Sequence, residues 1–225
     1  MTDPIRAHRA LIFLVWLSLI AGLMLLCSPP ARAAGAVDFG VLEKEIVKEV
    51  NLARINPGFY ASWLRGTRPY YQGTQLKRPG EVAIRTKEGL TAVDEAIRSL
   101  QVQKPVGALD WSRGLSLAAR DLVAPQGAAG EFGHKGPDGS MPSERIGRHG
   151  TWESIIGENV AYGQRTARDV VAAFIVDDGV PGRGHQKNLY NPAFHVMGVD
   201  CGPHSVYGTM CAITFAGGFH EKAVR

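Results

Sequence analysis

Four titratable residues lie where the surrounding pattern is otherwise apolar or glycine-rich. His134 and His185 each follow a glycine, in segments where the backbone can approach a ligand closely. Glu158 falls within an apolar run, and Asp177, three residues after Phe174, continues the apolar stripe of a predicted helix. Two imidazoles and two carboxylates are the groups that bind a divalent metal or act as general acid and base. The sequence therefore suggests a shared cleft for these four residues.

Spacing alone does not bring these residues together, because the two histidines are 51 positions apart. An alternative stays open in which Glu158 forms a local cap or ion pair and Asp177 ends a helix in solvent. Both histidines would then be ordinary loop residues, as we expect for His204 in the last turn of the chain. The sequence also lacks the Gly-x-Ser-x-Gly, phosphate-loop, Cys-x-x-Cys and His-Glu-x-x-His motifs. Their absence argues against the common serine hydrolases, nucleotide enzymes and zinc proteases.

The elements that would position these residues are short, as the 27 glycines and 13 prolines indicate. Apolar spacing predicts helices from residue 37 to a stop at Asn56-Pro57-Gly58, then at 59–64, 86–100, 109–123, from about 141, at 167–178 and at 186–190. We expect Thr86 to cap the third of these helices. Residues 65–85 have no sustained period and are predicted to form a loop, whereas residues 155–162 are predicted to form a strand. No linker divides the chain after residue 33, so we expect a single domain over residues 34–225.

The chain is predicted to close with a hairpin from Met197 to Phe219, centred on Val206. In that register Cys201 lies opposite Cys211, and the apolar side chains beside them share one face of the sheet. We therefore expect a disulfide between these two cysteines. A catalytic thiol is the alternative, and it requires that one of the two stay free beside a histidine.

The first 33 residues have the composition of a secretory signal peptide. Basic residues precede the apolar run from Ala10 to Cys27, and an Ala-Arg-Ala stretch ends at Ala33. Retention of this run as a membrane anchor is the alternative, since its 18 residues are just enough to span a bilayer. Cleavage removes three arginines and one aspartate and lowers the formal net charge from +4 to +2. We expect an exported protein, periplasmic or extracellular, that has no membrane span after cleavage and does not bind nucleic acid.

Four motifs in this order resemble those of the CAP superfamily, which comprises cysteine-rich secretory, antigen 5 and pathogenesis-related proteins, in its bacterial SCP-domain branch. They are His134-Lys-Gly-Pro-Asp-Gly-Ser, Gly157-Glu-Asn-Val-Ala-Tyr-Gly, Gly184-His-Gln-Lys-Asn-Leu and Met197-Gly-Val. The helix end from Asn51 to Pro57 is also similar to bacterial members, so the resemblance covers roughly residues 42–219. It implies an α+β fold, a three-layer α-β-α sandwich with a small antiparallel sheet flanked by helices. An insert at about residues 65–106 is longer than in a minimal domain and is expected to cover or extend the cleft.

The resemblance also implies the roles of individual residues. His134 and His185 would bind a divalent metal, zinc above all, while Glu158 and Asp177 would be the acids of the cleft. Asp177 departs from the usual glutamate and is shorter by one methylene, so the neighbouring Asp178 is an alternative. Asn159 would support the position of Glu158 or the strand.

The resemblance implies several activities, and the sequence leaves the choice between them open. The leading hypothesis is a secreted binding or interaction module with a divalent-metal cleft and an unidentified small-molecule, lipid or protein ligand. The alternative is a metal-dependent, protease-like hydrolase in which Glu158 is the general base for an attacking water. A third hypothesis is a structural envelope protein in which the histidines have no role. Tyr70 and Tyr71 of the insert are further candidates for ligand contact.

Overall fold

The computed structural model describes residues 36–223. The predicted signal peptide, residues 1–33, therefore lies outside the described residues. From Val37 onward the chain forms one compact unit. None of the helices in this described part is both long and apolar enough to span a bilayer.

Helices and short strands alternate through the described residues. The helices are α1 (Phe39–Ile55), α2 (Pro57–Thr67), α3 (Leu90–Val102), α4 (Arg113–Ala129), α5 (Pro142–His149), α6 (Ala167–Val176) and α7 (Gly184–Leu189), with one 3₁₀ turn at Arg68–Tyr70. The strands are β1 (Tyr71–Gln72), β2 (Gln75–Leu76), β3 (Ile84–Arg85), β4 (Asp110–Trp111), β5 (Gly150–Tyr162), β6 (Val196–His204) and β7 (Gly208–Glu221).

The central sheet has four strands in the order β4-β6-β7-β5. Strand β4 pairs in parallel with β6, and the other two pairings are antiparallel. Strand β5 begins at Gly150, earlier than the predicted residue 155, because its first residues pair with the end of β7 before a bulge between Glu153 and Ile156. This order leaves β5 at one edge of the sheet, between the two helical layers.

Helices cover both faces of this sheet. One face packs against α4 and α5, with Leu122, Val123 and Ile146 buried beside alternate residues of β7. The opposite face carries the larger core, formed with α1, α2, α3, α6 and α7. The structure thus confirms the predicted three-layer α-β-α sandwich, and the period of two along β6 and β7 explains why each strand supplies both cores.

The closing hairpin has the predicted register. Cys201 pairs with Cys211, and Val199 pairs with Ile213 on the same face. The two cysteines form a disulfide and are buried in the larger core, which confirms the predicted bond and excludes a free thiol at either position.

Several predicted helix boundaries were wrong. Helix α3 begins at Leu90 and not at Thr86, because Gly89 occupies the N-cap with a φ of 61° and the Thr86 side chain bonds to a loop carbonyl. A Cβ on Gly89 would collide with the carbonyl of Gly73, so only glycine fits there. Helix α4 continues through Pro125 to Ala129, six residues beyond the predicted end, and stops at Gly130 in the left-handed conformation.

The insert is more ordered than the predicted loop. Its first part forms a small antiparallel sheet in the order β1-β2-β3, and α3 follows. Runs of two residues carry too little periodicity to be recognised as strands from sequence. Helix α3 packs against α2, and its residues Ala92, Val93 and Leu100 are buried.

Candidate functional site

Strand β5 places two neighbouring polar residues on opposite faces of the sheet. Glu158 pairs with Thr214 and points toward the layer of α4 and α5, whereas Asn159 pairs with Ile213 and points toward the larger core. Both are almost fully buried, with exposed fractions of 7% for Glu158 and 0% for Asn159. Because β5 is an edge strand, residues from both helical layers reach it.

His134 approaches β5 from the loop that follows α4. Its Nδ1 lies 2.9 Å from Oε1 of Glu158, and since an ionised carboxylate only accepts, Nδ1 carries the proton. The other oxygen of Glu158 accepts a 2.7 Å hydrogen bond from the buried guanidinium of Arg145 on α5. Arg145 also donates to the carbonyls of Ser140 and His134, at 2.7 and 3.1 Å. The segment between α4 and α5, residues 130–141, is called the His134 loop below. One guanidinium therefore binds two points of this loop and the acid that orients the ring.

His185 approaches from the opposite layer, in the first turn of α7. Its Nδ1 donates to Oδ1 of Asp177 at 2.6 Å, and its backbone N–H donates to Oδ2 of the same carboxylate at 2.8 Å. Asp177 is 2% exposed and has a φ of 51°, so it caps α6 in the left-handed conformation. The predicted helix end at residue 178 was therefore wrong by two residues. This left-handed conformation directs the Asp177 carboxylate at His185. A residue that continued the helix would point in another direction.

The two histidine–carboxylate pairs meet across the edge of β5. The ring centroids of His134 and His185 are 6.1 Å apart. Both rings reach solvent, with side-chain exposures of 44% and 21%, while the side chains of Glu158 and Asp177 are 2% and 1% exposed. All four residues suggested by the sequence thus lie together at the edge of β5, as a pair of accessible imidazoles backed by buried acids, and this group of residues is called the cleft below.

Asn159 connects β5 to the start of α7 beside the cleft. Its side-chain N–H₂ donates to the carbonyl of His185 at 2.9 Å, and its oxygen accepts from Asn188 of α7 at 2.9 Å. Asn188 also lies 3.4 Å from the carbonyl of Glu158. These bonds tie the start of α7, and with it His185, to β5.

Asp178 does not belong to the cleft. Its carboxylate accepts the backbone N–H groups of Lys87 and Glu88, at 2.6 and 2.8 Å, and so bonds to the insert. Asp177, and not Asp178, is therefore the hydrogen-bond partner of His185. Asp178 follows a left-handed residue, which turns the two neighbouring carboxylates in different directions.

Arg145 was not among the residues singled out from the sequence. Polar residues dominate its eight-residue helix, so the pattern gives no sign that its guanidinium is buried. Its place between His134 and Glu158 along the chain is the one available clue. Arg183, which is described below with the insert, was also missed, because it lies in a glycine-rich loop without periodicity.

His204 is buried and not exposed as predicted. Its Nε2 donates to the carbonyl of Glu131 at 2.8 Å, and its Nδ1 accepts the N–H groups of Val206 and Tyr207 at 3.2 Å. The ring also contacts Tyr162, whose centroid is 5.3 Å away. His204 therefore connects the tip of the hairpin to the start of the His134 loop.

Tyr162 holds the same loop further along. Its hydroxyl accepts the N–H of Gly133 at 2.8 Å and donates to Gln126 at 2.8 Å. Gln126 is fully buried and donates to the carbonyls of Gly133 and Lys135. Burial raises the pKa of Tyr162, so the hydroxyl stays protonated and able to donate.

The donor set of the cleft fits an open divalent-metal site. With Nδ1 of each ring bonded to a carboxylate, Nε2 is the nitrogen left for a metal, and histidine ligands commonly have such a carboxylate behind them. Among residues 36–223, however, no group of three or more His, Cys, Asp or Glu side chains is arranged to hold a metal ion. The protein would therefore supply two nitrogens and leave the other positions to water or a ligand, unlike a closed four-ligand structural zinc site.

A known protein family matches the part of the chain that carries these residues. The model of CAP, the cysteine-rich secretory protein family, matches residues 63–215, about two thirds of the chain. The chain belongs to the CAP family. The matched region contains all four cleft residues and the whole insert.

Individual relatives of this CAP protein are distant. The uncharacterized protein YkwD of Bacillus subtilis (strain 168) is 30% identical over 126 residues, which cover 56% of this chain and 46% of YkwD. This chain thus spans about half the length of that relative.

Two solved structures are similar at lower identity. An extracellular SCP-domain protein of Bacillus anthracis str. Ames is 20% identical, with a TM-score of 0.40 over 56% of this chain and 39% of that one. An outer surface protein of Borrelia burgdorferi is 17% identical, with a TM-score of 0.43 over 59% of this chain and 91% of that one.

Proposed function

We propose that this CAP domain is an exported binding module whose cleft holds a divalent metal, zinc above all, through His134 and His185. The observation that carries the proposal is the pair of accessible imidazoles, 6.1 Å between centroids, each bonded through Nδ1 to a buried carboxylate. A carboxylate behind a histidine selects one tautomer and makes the other nitrogen a better ligand. Imidazole nitrogens favour zinc over magnesium or calcium, which prefer oxygen ligands.

The residues of the cleft would have different roles in holding such a site. Glu158 and Asp177 keep each ring in one tautomer and one orientation, and Arg145 balances the buried charge of Glu158. Asn159 and Asn188 keep α7 against β5, so the distance between the rings is set by the sheet edge. When bound, the metal would supply a Lewis acid with open positions for an oxygen or nitrogen of a ligand.

The contacts of Glu158 favour binding over hydrolysis. A general base for an attacking water needs a carboxylate oxygen that can accept the proton of that water. One oxygen of Glu158 is bonded to His134 and the other to Arg145, and the side chain is 2% exposed. Glu158 is therefore better suited to orienting His134 than to acting as a base, which makes hydrolysis the second hypothesis. Screening of small molecules, lipids and proteins would identify the ligand of the module.

The proposal predicts stoichiometric zinc binding that depends on both histidines. Titration of the full chain with zinc, followed by calorimetry, should give one site per chain. His134→Ala/His185→Ala should abolish that site. Glu158→Gln should weaken zinc binding about 10- to 100-fold, the usual loss when a carboxylate behind a histidine ligand is changed. Magnesium and calcium should bind far more weakly than zinc.

His220→Ala is the matched control, because His220 also bonds to a carboxylate, Glu153, at 2.7 Å but is an exposed side chain outside the cleft. Its zinc affinity should equal that of the unchanged protein. Circular dichroism spectra should show that all variants are folded. Equal zinc affinity in the unchanged protein and the folded double variant would contradict the metal site. Zinc-dependent cleavage of a casein or ester probe, lost in the double variant, would favour the hydrolase instead.

A further inference from the structure

The loop between α6 and α7 holds His185 in place although two of its residues have unfavourable backbone conformations. Asp177 and Arg183 both have positive φ angles, 51° and 53°, in a region that side chains with a Cβ rarely adopt. Such conformations persist where surrounding contacts determine them. The loop therefore depends on bonds from outside itself, and most of those that the structure shows come from the insert.

Two carboxylates bond this loop to the residues just before α3. One carboxylate belongs to the loop and accepts from the insert, and the other belongs to the insert and accepts from the loop. Asp178 of the loop accepts the backbone N–H groups of Lys87 and Glu88, at 2.6 and 2.8 Å. Glu88 in turn accepts the N–H of Gly179 at 2.5 Å. These reciprocal bonds join residues 87–88 to residues 178–179.

Arg183 completes the connection. Its guanidinium forms a two-point ion pair with Glu88, with N–O distances of 2.7 and 2.8 Å, and also binds Glu95 of α3 at 2.7 Å. The same guanidinium donates to the carbonyl of Asp177 at 2.8 Å. One side chain thus links the insert directly to the residue whose carboxylate orients His185.

The charges in this connection are strongly paired. Bonds from Arg183, and then from the N–H of Gly179, lower the pKa of Glu88 to about 2. The Arg183 side chain is only 14% exposed, which protects its two-point pair with Glu88 from solvent. A further bond lies one turn along, where Ser99 of α3 contacts Gln186 of α7 at 3.2 Å.

We propose that Glu88, Asp178 and Arg183 form a positioning clamp by which the insert sets the orientation of His185. The hydrogen bonds described above for the clamp residues end on each other, on the insert and on the loop, including the carbonyl of Asp177, so the clamp acts through the backbone of Asp177. The insert thereby tunes the metal site from outside the cleft and does not cover it with a lid. This inference rests on the proposed metal site for its affinity readout, whereas its effect on the imidazole of His185 can be measured without metal.

The test compares Glu88→Ala with Glu45→Ala in the full chain. Glu45 is an exposed glutamate of α1 in an ion pair with Lys48, so it matches the charge change away from the insert. Nitrogen NMR of the metal-free protein should show that the Nδ1–H tautomer of His185, dominant in the unchanged protein, loses population in Glu88→Ala. The tautomer of His134 should not change in either variant. Zinc affinity should fall about 10-fold or more in Glu88→Ala and stay constant in Glu45→Ala.

A second, more conservative variant tests the clamp in case Glu88→Ala does not fold. Asp178→Asn keeps the shape of the side chain and removes its charge, so it should give a smaller shift of the same tautomer. An unchanged His185 tautomer in folded Glu88→Ala and Asp178→Asn would overturn the clamp, whatever the zinc affinity. A shifted tautomer in a protein that binds no zinc would support the clamp and contradict the metal site. An equal shift at both histidines would overturn the clamp, because it would indicate general loosening of the domain.

Discussion

Replacing Arg145 by methionine should destabilise the domain far more than an ordinary surface change. Methionine retains the apolar bulk of the chain but removes the guanidinium that bonds to Glu158, Ser140 and His134. Glu158, with a side chain 2% exposed, then keeps only its bond to His134. Removing one partner of a buried ion pair costs about 3–5 kcal/mol, because the remaining charge is left without compensation. We expect a loss of about 4 kcal/mol in the free energy of unfolding.

A double-mutant cycle separates the ion pair from the other two bonds. Glu158→Gln in the Arg145→Met background removes the stranded charge and should recover about 2 kcal/mol of that loss. The rest reflects the carbonyls of Ser140 and His134, which lose a donor in both backgrounds. The assay is urea unfolding followed by circular dichroism and by tryptophan fluorescence, with agreement between the two probes as the check on two-state behaviour.

Arg148→Met is the matched control on the same helix. Arg148 pairs with Asp138 and Asp121, but its side chain is 43% exposed, so its removal should change the free energy of unfolding far less than the removal of Arg145. Equal losses for Arg145→Met and Arg148→Met would refute the reasoning, as would additive effects of Arg145→Met and Glu158→Gln.

Two further predictions concern the hairpin. Burial and the nearby charge of Glu43 raise the pKa of Asp200 to about 7 against the opposing effect of the exposed Arg120. The folded state therefore keeps a proton that the unfolded chain releases above about pH 4, so stability falls as the pH rises from about 4 to 7. Asp200→Asn should match the unchanged protein near pH 4 and exceed it by about 4 kcal/mol at pH 8 in urea unfolding, and a constant difference would contradict this. Cys201→Ala/Cys211→Ala opens a loop closed over a sequence separation of 10 and should cost about 2–3 kcal/mol, whereas an unchanged melting temperature would count against it.

The candidate site was predictable to the extent that its residues lie in distinctive local patterns. Glycines before His134 and His185, and an acid within an apolar strand, marked three of the four cleft residues. Arg145 was not predictable, because an arginine on a short polar helix has the same local pattern whether it is buried or exposed. Asp178 and Asp177 could not be distinguished either, since the positive φ of Asp177 separates the directions of their carboxylates and no sequence pattern marks it.

The sequence by itself determined the features that depend on near neighbours. The alternation of apolar residues in β6 and β7 sets which side chains share a face, and from this the register and the disulfide between Cys201 and Cys211 follow. The tertiary structure alone decided that His134 and His185 meet, that Arg145 is buried and that Glu88 reaches Arg183. The physical reason is that these contacts join segments far apart in the chain, and the two histidines come from opposite layers of the sandwich. Their distances are set by how the helices pack on the sheet, and no short-range periodicity encodes that packing.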